Sequence, residues 1–203
     1  RRHTRYISVT GVQTCALPIY GEFDTIYHEH ISFYNAYSMK CLAERAGLYL
    51  VDVVKTPIHG TSYIFVLAKK PAKQYHVQNI LARESHLHEP STYDAWAAGV
   101  RKLLVDLKEQ IDEFRGWGYT IVGYGAAAKG MTLINFGNIN LDFVIDDNPM
   151  KQGLFCPGSN IPVVGIDMLD QCNDVKVAFV PLAWNFFTEI RSKIKTKRDQ
   201  EGD

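Results

Sequence analysis

The sequence of 203 residues predicts an α/β fold in two parts: a helix with a β-hairpin, followed by a Rossmann-like domain with a parallel sheet. Residues 48–56 and 62–69 are rich in Val, Ile, Tyr and Phe, and the turn of residues 57–60 between them contains proline and glycine, which is typical of a hairpin. After residue 119, short apolar strands alternate with helical segments. This alternation indicates a parallel sheet covered by helices.

The first part begins with a helix predicted over residues 35–46. Asn35 can cap its amino end and Gly47 follows as a stop. Residues 71–92 are polar and interrupted, which predicts a linker with a short helix at residues 77–83. The linker separates the first part, residues 20–70, from the second.

The second part, residues 93–203, begins with a long amphipathic helix, because apolar side chains recur every three or four positions over residues 93–114. The predicted elements that follow are a strand at 119–122, a glycine-rich turn at 123–130, a helix to 136, strands at 143–145 and 161–164, a helix at 166–171, a strand at 175–180 and a closing helix from 185.

Composition is that of a globular protein, with 46% hydrophobic and 22% charged residues. The 22 basic and 22 acidic residues cancel, and basic residues cluster only at residues 191–198, so a small molecule is favoured as partner over nucleic acid. No run of about 18 apolar residues predicts a membrane span. The four cysteines show no CxxC spacing, which is typical of reduced thiols in a cytoplasmic protein.

Residues 1–19 show neither helical nor strand periodicity. Residues 9–19 match the translation of a common sequencing-library adapter, and residues 2–5 fit the adjoining adapter segment. We therefore interpret this segment as an artefact, exclude it from the fold prediction and expect it to pack poorly. The gene would then continue upstream, and the chain would be a fragment.

Four adjacent residues carry the main chemical signal: Tyr27, His28, Glu29 and His30. Histidine changes charge near neutral pH, and a neighbouring carboxylate can fix its tautomer and raise its basicity. The cluster therefore suits removal of a proton from carbon or oxygen. An ordinary polar loop is an equally simple interpretation. A metal site is less well supported, because a helical zinc motif needs two histidines four residues apart and these are two apart.

A second signal is the strand, glycine-rich turn and helix around Gly123 and Gly125, with Asp146 after the next strand. This order is similar to a dinucleotide-binding fingerprint, in which Asp146 would bind a ribose hydroxyl. However, Ala128 stands where the fingerprint has its third glycine. The alternative is a tight turn that needs glycine only for close packing.

Residues 23–30, followed by Phe33, Tyr34 and Asn35, resemble the FDxIYHEHxxYxS signature of sugar C-methyltransferases. The resemblance covers nearly everything from residue 20 onward. Its further motifs are His59-Gly60, the turn of residues 123–130, Lys151-Gln152-Gly153 and residues 157–162. One departure is Thr61, where the family usually has glycine.

The resemblance implies an S-adenosylmethionine-dependent enzyme with an amino-terminal zinc domain, a central methyltransferase domain and a carboxy-terminal α/β domain. A helix plus hairpin is how the sheet of a class I methyltransferase ends, so this chain would be the end of the second domain and most of the third. The donor loop and the zinc ligands would lie upstream, and a final strand beyond Asp203.

The substrate implied by the resemblance is a nucleotide-linked 4-keto-deoxysugar. His30 would be the general base, Glu29 would orient an imidazole, Tyr27 would hydrogen-bond the substrate's oxygens and His28 would position the loop. The further substrate contacts would be His59, Gly60, Gly123, Gly125, Lys129 and Asp146. Among these, the amides of the glycine turn or Lys129 would face the nucleotide end of the substrate.

Two alternatives stay open from the sequence. An NAD(P)-dependent oxidoreductase would use the glycine turn for its cofactor, and a non-catalytic nucleotide-sugar-binding module would need no donor site. A donor loop and a cysteine zinc cluster upstream would distinguish the methyltransferase from both. Oligomeric state is not predicted.

Overall fold

A computed structural model describes residues 13–14 (backbone only), 22–57, 62–72, 75–172 and 176–198. The chain forms two compact units. The first comprises the described residues up to Phe23 together with His28–Val100, and the second comprises Asp24–Tyr27 together with the described part of Arg101–Asp203. Within the first 19 residues, strand β1 (Gln13–Thr14) pairs in parallel with β2 (Phe33–Tyr34). The rest of that segment lies outside the described residues.

Helix α1 (Ala36–Arg45) begins where the sequence predicts. Asn35 Oδ1 accepts a hydrogen bond from the Ser38 amide at 2.8 Å, and Ser38 Oγ accepts one from the Asn35 amide at 3.0 Å. This reciprocal pair satisfies two amides at the helix start that would otherwise lack partners. The helix stops at Gly47, which has a positive φ of 69°.

The predicted hairpin is present. Strands β3 (Tyr49–Thr56) and β4 (Ser62–Ala68) pair antiparallel, with a bulge between Leu50 and Asp52. Helix α2 (Tyr75–Arg83) lies within the predicted linker and buries Val77 against Leu50 and Val53. The segment predicted as a linker therefore also contributes a helix to the core of the first unit.

The long helix α3 (Pro90–Gly116) extends beyond its predicted bounds at both ends. Pro90 is compatible with the first helical turn, where its missing N–H costs nothing. Among the described residues, no helix is both long and apolar enough to cross a membrane.

The second unit is built on a parallel four-stranded sheet, whose strands in spatial order are β7 (Val163–Val164), β6 (Phe143–Ile145), β5 (Thr120–Tyr124) and β8 (Val177–Pro181). The last two residues of the predicted strand 161–164 form β7, because Pro162 has no amide proton to donate to the ladder. The helix predicted at residues 166–171 is present as a 3₁₀ helix. The elements are β5 (Thr120–Tyr124), α4 (Ala128–Gly137), β6 (Phe143–Ile145), β7 (Val163–Val164), 3₁₀ helix Ile166–Cys172, β8 (Val177–Pro181), 3₁₀ helix Trp184–Phe186 and α5 (Phe187–Arg198).

Alternate residues of β5 point to opposite faces of this sheet, as in any strand. Ile121 packs in a core with Ile111 of α3 and Ile134 of α4, whereas Val122 packs in a second core with Ile190 of α5. Both faces are thus covered by helices, which explains the continuous apolar runs of the strands. Cys156 belongs to the first core and is 1% exposed, and burial raises the pKa of its thiol.

Candidate active site

The predicted catalytic residues follow a short 3₁₀ helix, Phe23–Thr25. Thr25 is buried, and its carbonyl accepts a hydrogen bond from the Tyr27 amide at 3.1 Å. Tyr27 is half-buried. Tyr27 therefore follows closely after a buried segment in the chain, and the hydrogen-bonded turn fixes the direction of its backbone.

The histidines and the glutamate after Tyr27 belong to the first unit. His28 and Glu29 have exposed side chains, with Nε2 of His28 4.0 Å from Oε1 of Glu29. His30 is half-buried and meets the ring of Phe33 edge-on, with centroids 6.3 Å apart. The predicted roles require a hydrogen bond between a histidine and Glu29, and the distance from His28 is longer than such a bond.

Tyr27 belongs instead to the second unit, through the segment Asp24–Tyr27. Asp24 is 8% exposed, and its Oδ2 accepts a hydrogen bond from the indole Nε1 of Trp184 at 2.6 Å. The carbonyl of Ile26 accepts a second bond from Oγ1 of Thr132, in α4, at 3.3 Å. Two hydrogen bonds therefore hold the segment Asp24–Tyr27 against the rest of the second unit.

The docking position follows from the strand order. β6 and β7 lie on one side of β5 and β8 lies on the other, so the connections diverge at the carboxyl ends of β5 and β8. Open α/β sheets bind ligands in the crevice at this point of divergence. Trp184 follows β8 and Thr132 lies in the helix that follows β5, so segment Asp24–Tyr27 lies at that crevice.

Lys129 lies at the same place, in the first turn of α4. Its Nζ is 4.6 Å from the ring centroid of Trp184, within the range of a cation–π interaction. Trp184 thus contacts Lys129 through its ring face and Asp24 through its ring edge.

The glycines of the turn are needed for packing. A Cβ on Gly125, whose φ is 95°, would lie 2.6 Å from Cβ of Ala183, and one on Gly123 would lie 2.8 Å from a methyl group of Leu182. The amides of Leu182 and Ala183 donate to the carbonyl of Tyr124, which draws the end of β8 onto the turn. The tight-turn interpretation accounts for these two glycines.

Asp146 organises the same turn. Its Oδ2 accepts hydrogen bonds from the Ala126 amide at 2.8 Å and from Nζ of Lys151 at 3.0 Å, and Oδ1 accepts one from the Asn148 amide at 2.9 Å. Lys151 also donates to the Ala126 carbonyl at 2.9 Å. Both carboxylate oxygens of Asp146 are therefore engaged within the protein, on the side where the sequence predicts a ribose contact.

The other motifs of the resemblance have local partners too. Gln152 donates to the Asp146 carbonyl at 3.0 Å, beside Lys151. Asn135 donates to the Pro157 carbonyl at 3.0 Å, and a Cβ on Gly158 would clash with the same Asn135 side chain. These motifs stabilise the loops around the sheet. His59 and Gly60, also predicted as substrate contacts, lie outside the described residues.

Asp147 is more open than Asp146 and joins the sheet to α5. Its carboxylate accepts hydrogen bonds from the Tyr124 hydroxyl at 2.7 Å and from Nζ of Lys193 at 2.8 Å. The bond from Lys193 lowers the pKa of Asp147, and burial together with the Asp147 bond raises the pKa of Tyr124. Among the described residues, no group of three or more His, Cys, Asp or Glu could hold a metal ion.

Sequence reasoning assigned no role to Asp24, Thr132 or Trp184. Asp24 stands inside the signature, but its residue type alone does not indicate a partner 160 positions away in the chain. Trp184 lies between the predicted strand 175–180 and the helix predicted from residue 185, in a stretch with no recognisable sequence pattern. Only the strand order, which places the end of β8 beside the start of α4, brings the three together.

The fold and site together define a parallel α/β unit whose crevice holds the segment Asp24–Tyr27, and this segment directly precedes His28 in the chain. A family model described as "C-methyltransferase C-terminal domain" matches residues 57–203, and the chain belongs to this family. It is similar to the C-methyltransferase NovU of Streptomyces niveus, with 33% identity over 178 residues, covering 83% of this chain and 42% of the relative. The chain thus spans less than half the length of that protein.

Proposed function

We propose that this chain is the carboxy-terminal part of an S-adenosylmethionine-dependent enzyme that methylates a carbon of a nucleotide-linked 4-keto-deoxysugar. Family membership and the resemblance of residues 23–30 support the reaction class. The observation that carries the proposal is the docking of segment Asp24–Tyr27 at the ligand-binding crevice of the second unit, directly before the two histidines in the chain.

The chemistry begins with removal of the proton next to the ketone. In our proposal His30 accepts this proton, Glu29 orients an imidazole and His28 positions the loop. Tyr27 donates a hydrogen bond to the substrate oxygen on which negative charge develops, since stabilising the enediolate lowers the barrier to deprotonation. The carbanion equivalent is then ready to receive a methyl group.

The methyl donor is proposed to bind upstream of this chain. Among the described residues, close packing against Leu182 and Ala183 accounts for Gly123 and Gly125, so the glycine turn gives no separate support for a donor site. Zinc, implied by the resemblance for an amino-terminal domain, is likewise assigned outside this chain. The residues described here would bind the sugar nucleotide and move the proton.

The nucleotide end of the substrate is proposed to lie near Lys129, with Gly123, Gly125 and Asp146 shaping the turn beneath it. The positive end of α4 and the Lys129 ammonium both favour a diphosphate. His59 and Gly60 are proposed to contact the substrate from the hairpin turn. The oxidoreductase alternative has less support, because Ala128 replaces the third glycine of the dinucleotide fingerprint and the family model that matches the chain is that of a C-methyltransferase domain.

Substitution of His30 by asparagine tests the base, in the enzyme extended by its donor domain. We expect the fold and substrate binding to persist while turnover falls by about 10²- to 10⁴-fold, the usual contribution of a positioned general base. Exchange of the substrate's α-proton with solvent deuterium should fall in parallel, because that exchange reports deprotonation alone.

The matched control is His86→Asn, which changes an exposed histidine whose side chain, among the hydrogen bonds described, bonds only the backbone carbonyl of Arg83. Tyr27→Phe should slow methyl transfer while retaining part of the proton exchange. Wild-type exchange in His30→Asn would move the role of base to another residue, with His28 the next candidate. No exchange by the wild-type enzyme would favour the non-catalytic binding module.

A further inference from the structure

Three proposed site features converge on one side chain, Trp184. Its indole N–H donates to Asp24, its ring lies under the ammonium of Lys129, and Asp24 is the first residue of the segment that ends in Tyr27. Trp184 is itself 39% exposed, so it is not held there by complete burial.

The contact with Asp24 is strong for its kind. A donor–acceptor distance of 2.6 Å to an acidic side chain that is 8% exposed is short for an N–H donor, and hydrogen bonds to ionised groups are about twice as strong as neutral ones. Asp24 and Trp184 are 160 positions apart in the chain. The bond therefore fixes a long-range connection that local backbone preference does not supply.

The contact with Lys129 is made by a different part of the same ring. The ammonium lies 4.6 Å from the ring centroid, where the electron-rich face attracts a cation. Trp184 can therefore orient Lys129 and segment Asp24–Tyr27 independently, one through the ring face and the other through the ring edge.

From these contacts we propose that Trp184 and Asp24 are positioning residues for the methyltransferase. Trp184 holds Tyr27 at the crevice through Asp24 and holds Lys129 toward the same crevice through its ring face. This inference rests on the proposed function for the roles of Tyr27 and Lys129, but the positioning itself is a property of the second unit alone.

The two contacts separate by substitution. Trp184→Phe keeps an aromatic face for Lys129 and removes the N–H, whereas Trp184→Leu removes both. In the 203-residue chain, hydrogen–deuterium exchange of the amides within residues 24–27 should rise by about tenfold to a hundredfold in both variants, the equivalent of one hydrogen bond to a charged group. Asp24→Asn, which keeps an acceptor oxygen, should restore most of the protection that Asp24→Ala loses.

Kinetics in the donor-extended enzyme then distinguish positioning from general stability. Trp184→Phe should lower kcat about tenfold with little change in KM for the sugar nucleotide, because Lys129 stays oriented. Trp184→Leu should also raise KM several-fold, because a binding contact made equally in ground and transition states acts on KM. Trp117→Phe is the matched control, since Trp117 packs on Phe114 in the same unit.

Unchanged amide exchange in Trp184→Phe would overturn the proposal, and so would raised exchange with wild-type kcat and KM. An equal effect of Trp117→Phe on both measurements would do the same. If the wild-type enzyme methylates no keto-sugar, the proposed function fails, while amide exchange still decides whether Trp184 holds Tyr27.

Discussion

Asp146 shows how one buried carboxylate can support a whole loop. It accepts hydrogen bonds from the amides of Ala126 and Asn148 and from the ammonium of Lys151, and its side chain is 11% exposed. Removing it would leave the Ala126 amide without its acceptor and the lysine without its counter-charge. A loop held in this way is a rigid platform for whatever binds above it.

Asp146→Ala should therefore lower the free energy of unfolding by about 1–3 kcal/mol, the cost of leaving a buried donor unsatisfied. Urea denaturation monitored by circular dichroism measures this change. Asp146→Asn should cost less, because a carboxamide oxygen can still accept from Ala126.

Asp167→Ala is the control, since its side chain is 87% exposed and shares Lys197 with Asp170. It should change stability by less than about 1 kcal/mol. A fully stable Asp146→Ala variant that lost only sugar-nucleotide binding would mean that the carboxylate serves the ligand and not the loop.

At the scale of elements, the contact between β5 and the end of β8 is closer than any side chain at Gly123 allows. A Cβ there would meet Leu182, Leu141 and Val144 at 2.8–3.0 Å. Gly99, in contrast, lies on the exposed side of α3 with nothing within 4 Å. Alanine should have opposite effects at the two positions.

We expect Gly123→Ala to destabilise the protein by about 1–3 kcal/mol through overpacking. Gly99→Ala should stabilise it by about 0.5–1 kcal/mol, because alanine reduces the entropy of the unfolded chain and favours helix. Chemical denaturation of both variants provides the comparison. Stabilisation by Gly123→Ala would mean that the sheet relaxes more easily than this packing indicates.

Helix α5 is joined to the sheet by Lys193, whose ammonium bonds Asp147 and Glu189. The bond to Lys193 lowers the pKa of Asp147 from its ordinary value of 3.8, so its stabilisation is complete above pH 3.8 and is lost as the pH falls below that value. Both side chains are half exposed, so solvent screens the pair and its contribution to stability should be small.

Lys193→Met should return the pKa of Asp147 toward 3.8, as followed by carboxyl chemical shifts in an NMR titration. Lys102→Met, which breaks an exposed pair with Asp106 in α3, should leave that titration unchanged. If Asp147 titrates identically in the Lys193 variant, the Tyr124 hydroxyl alone sets its acidity.

For the whole molecule, the sequence predicts the bounds of the helices and strands better than how these elements pair and pack together. The hairpin, β6 and α1 are close to their predicted bounds, because Asn35 and Gly47 are unambiguous helix signals and alternating apolar residues have a local cause. The sequence predicts a helix at residues 166–171 without its type, because so short a segment does not distinguish a 3₁₀ helix from an α-helix.

The sequence predicts only those parts of the candidate site that form a recognisable local sequence pattern. The signature around Tyr27 and the glycine turn could be recognised from residue types. Trp184 could not, because its role depends on the parallel pairing of β5 with β8, which brings distant positions together. The same pairing explains why Gly123 and Gly125, predicted as ligand contacts, face protein atoms.

Because the methyl donor is proposed to bind in a separate domain, we expect that residues 1–203 alone do not bind S-adenosylmethionine. In the described glycine turn, packing against Leu182 and Ala183 accounts for Gly123 and Gly125, and the sequence holds no second strand, glycine turn and helix of that kind for the donor. Titration calorimetry should detect no binding by the chain and tight binding by the donor-extended enzyme. Stoichiometric binding by the chain alone would contradict this assignment.

Because Cys156 is buried, the reactivity of its thiol can serve as a probe of how often the core beside the sheet opens. The thiol lies in the core beneath β6 and β7, and burial raises its pKa, so it is neither accessible nor ionised while that core is closed. A thiol reagent can reach it only during local or global unfolding. Its labelling rate therefore counts such openings, and ligands that bind the closed second unit should slow it in proportion to their occupancy.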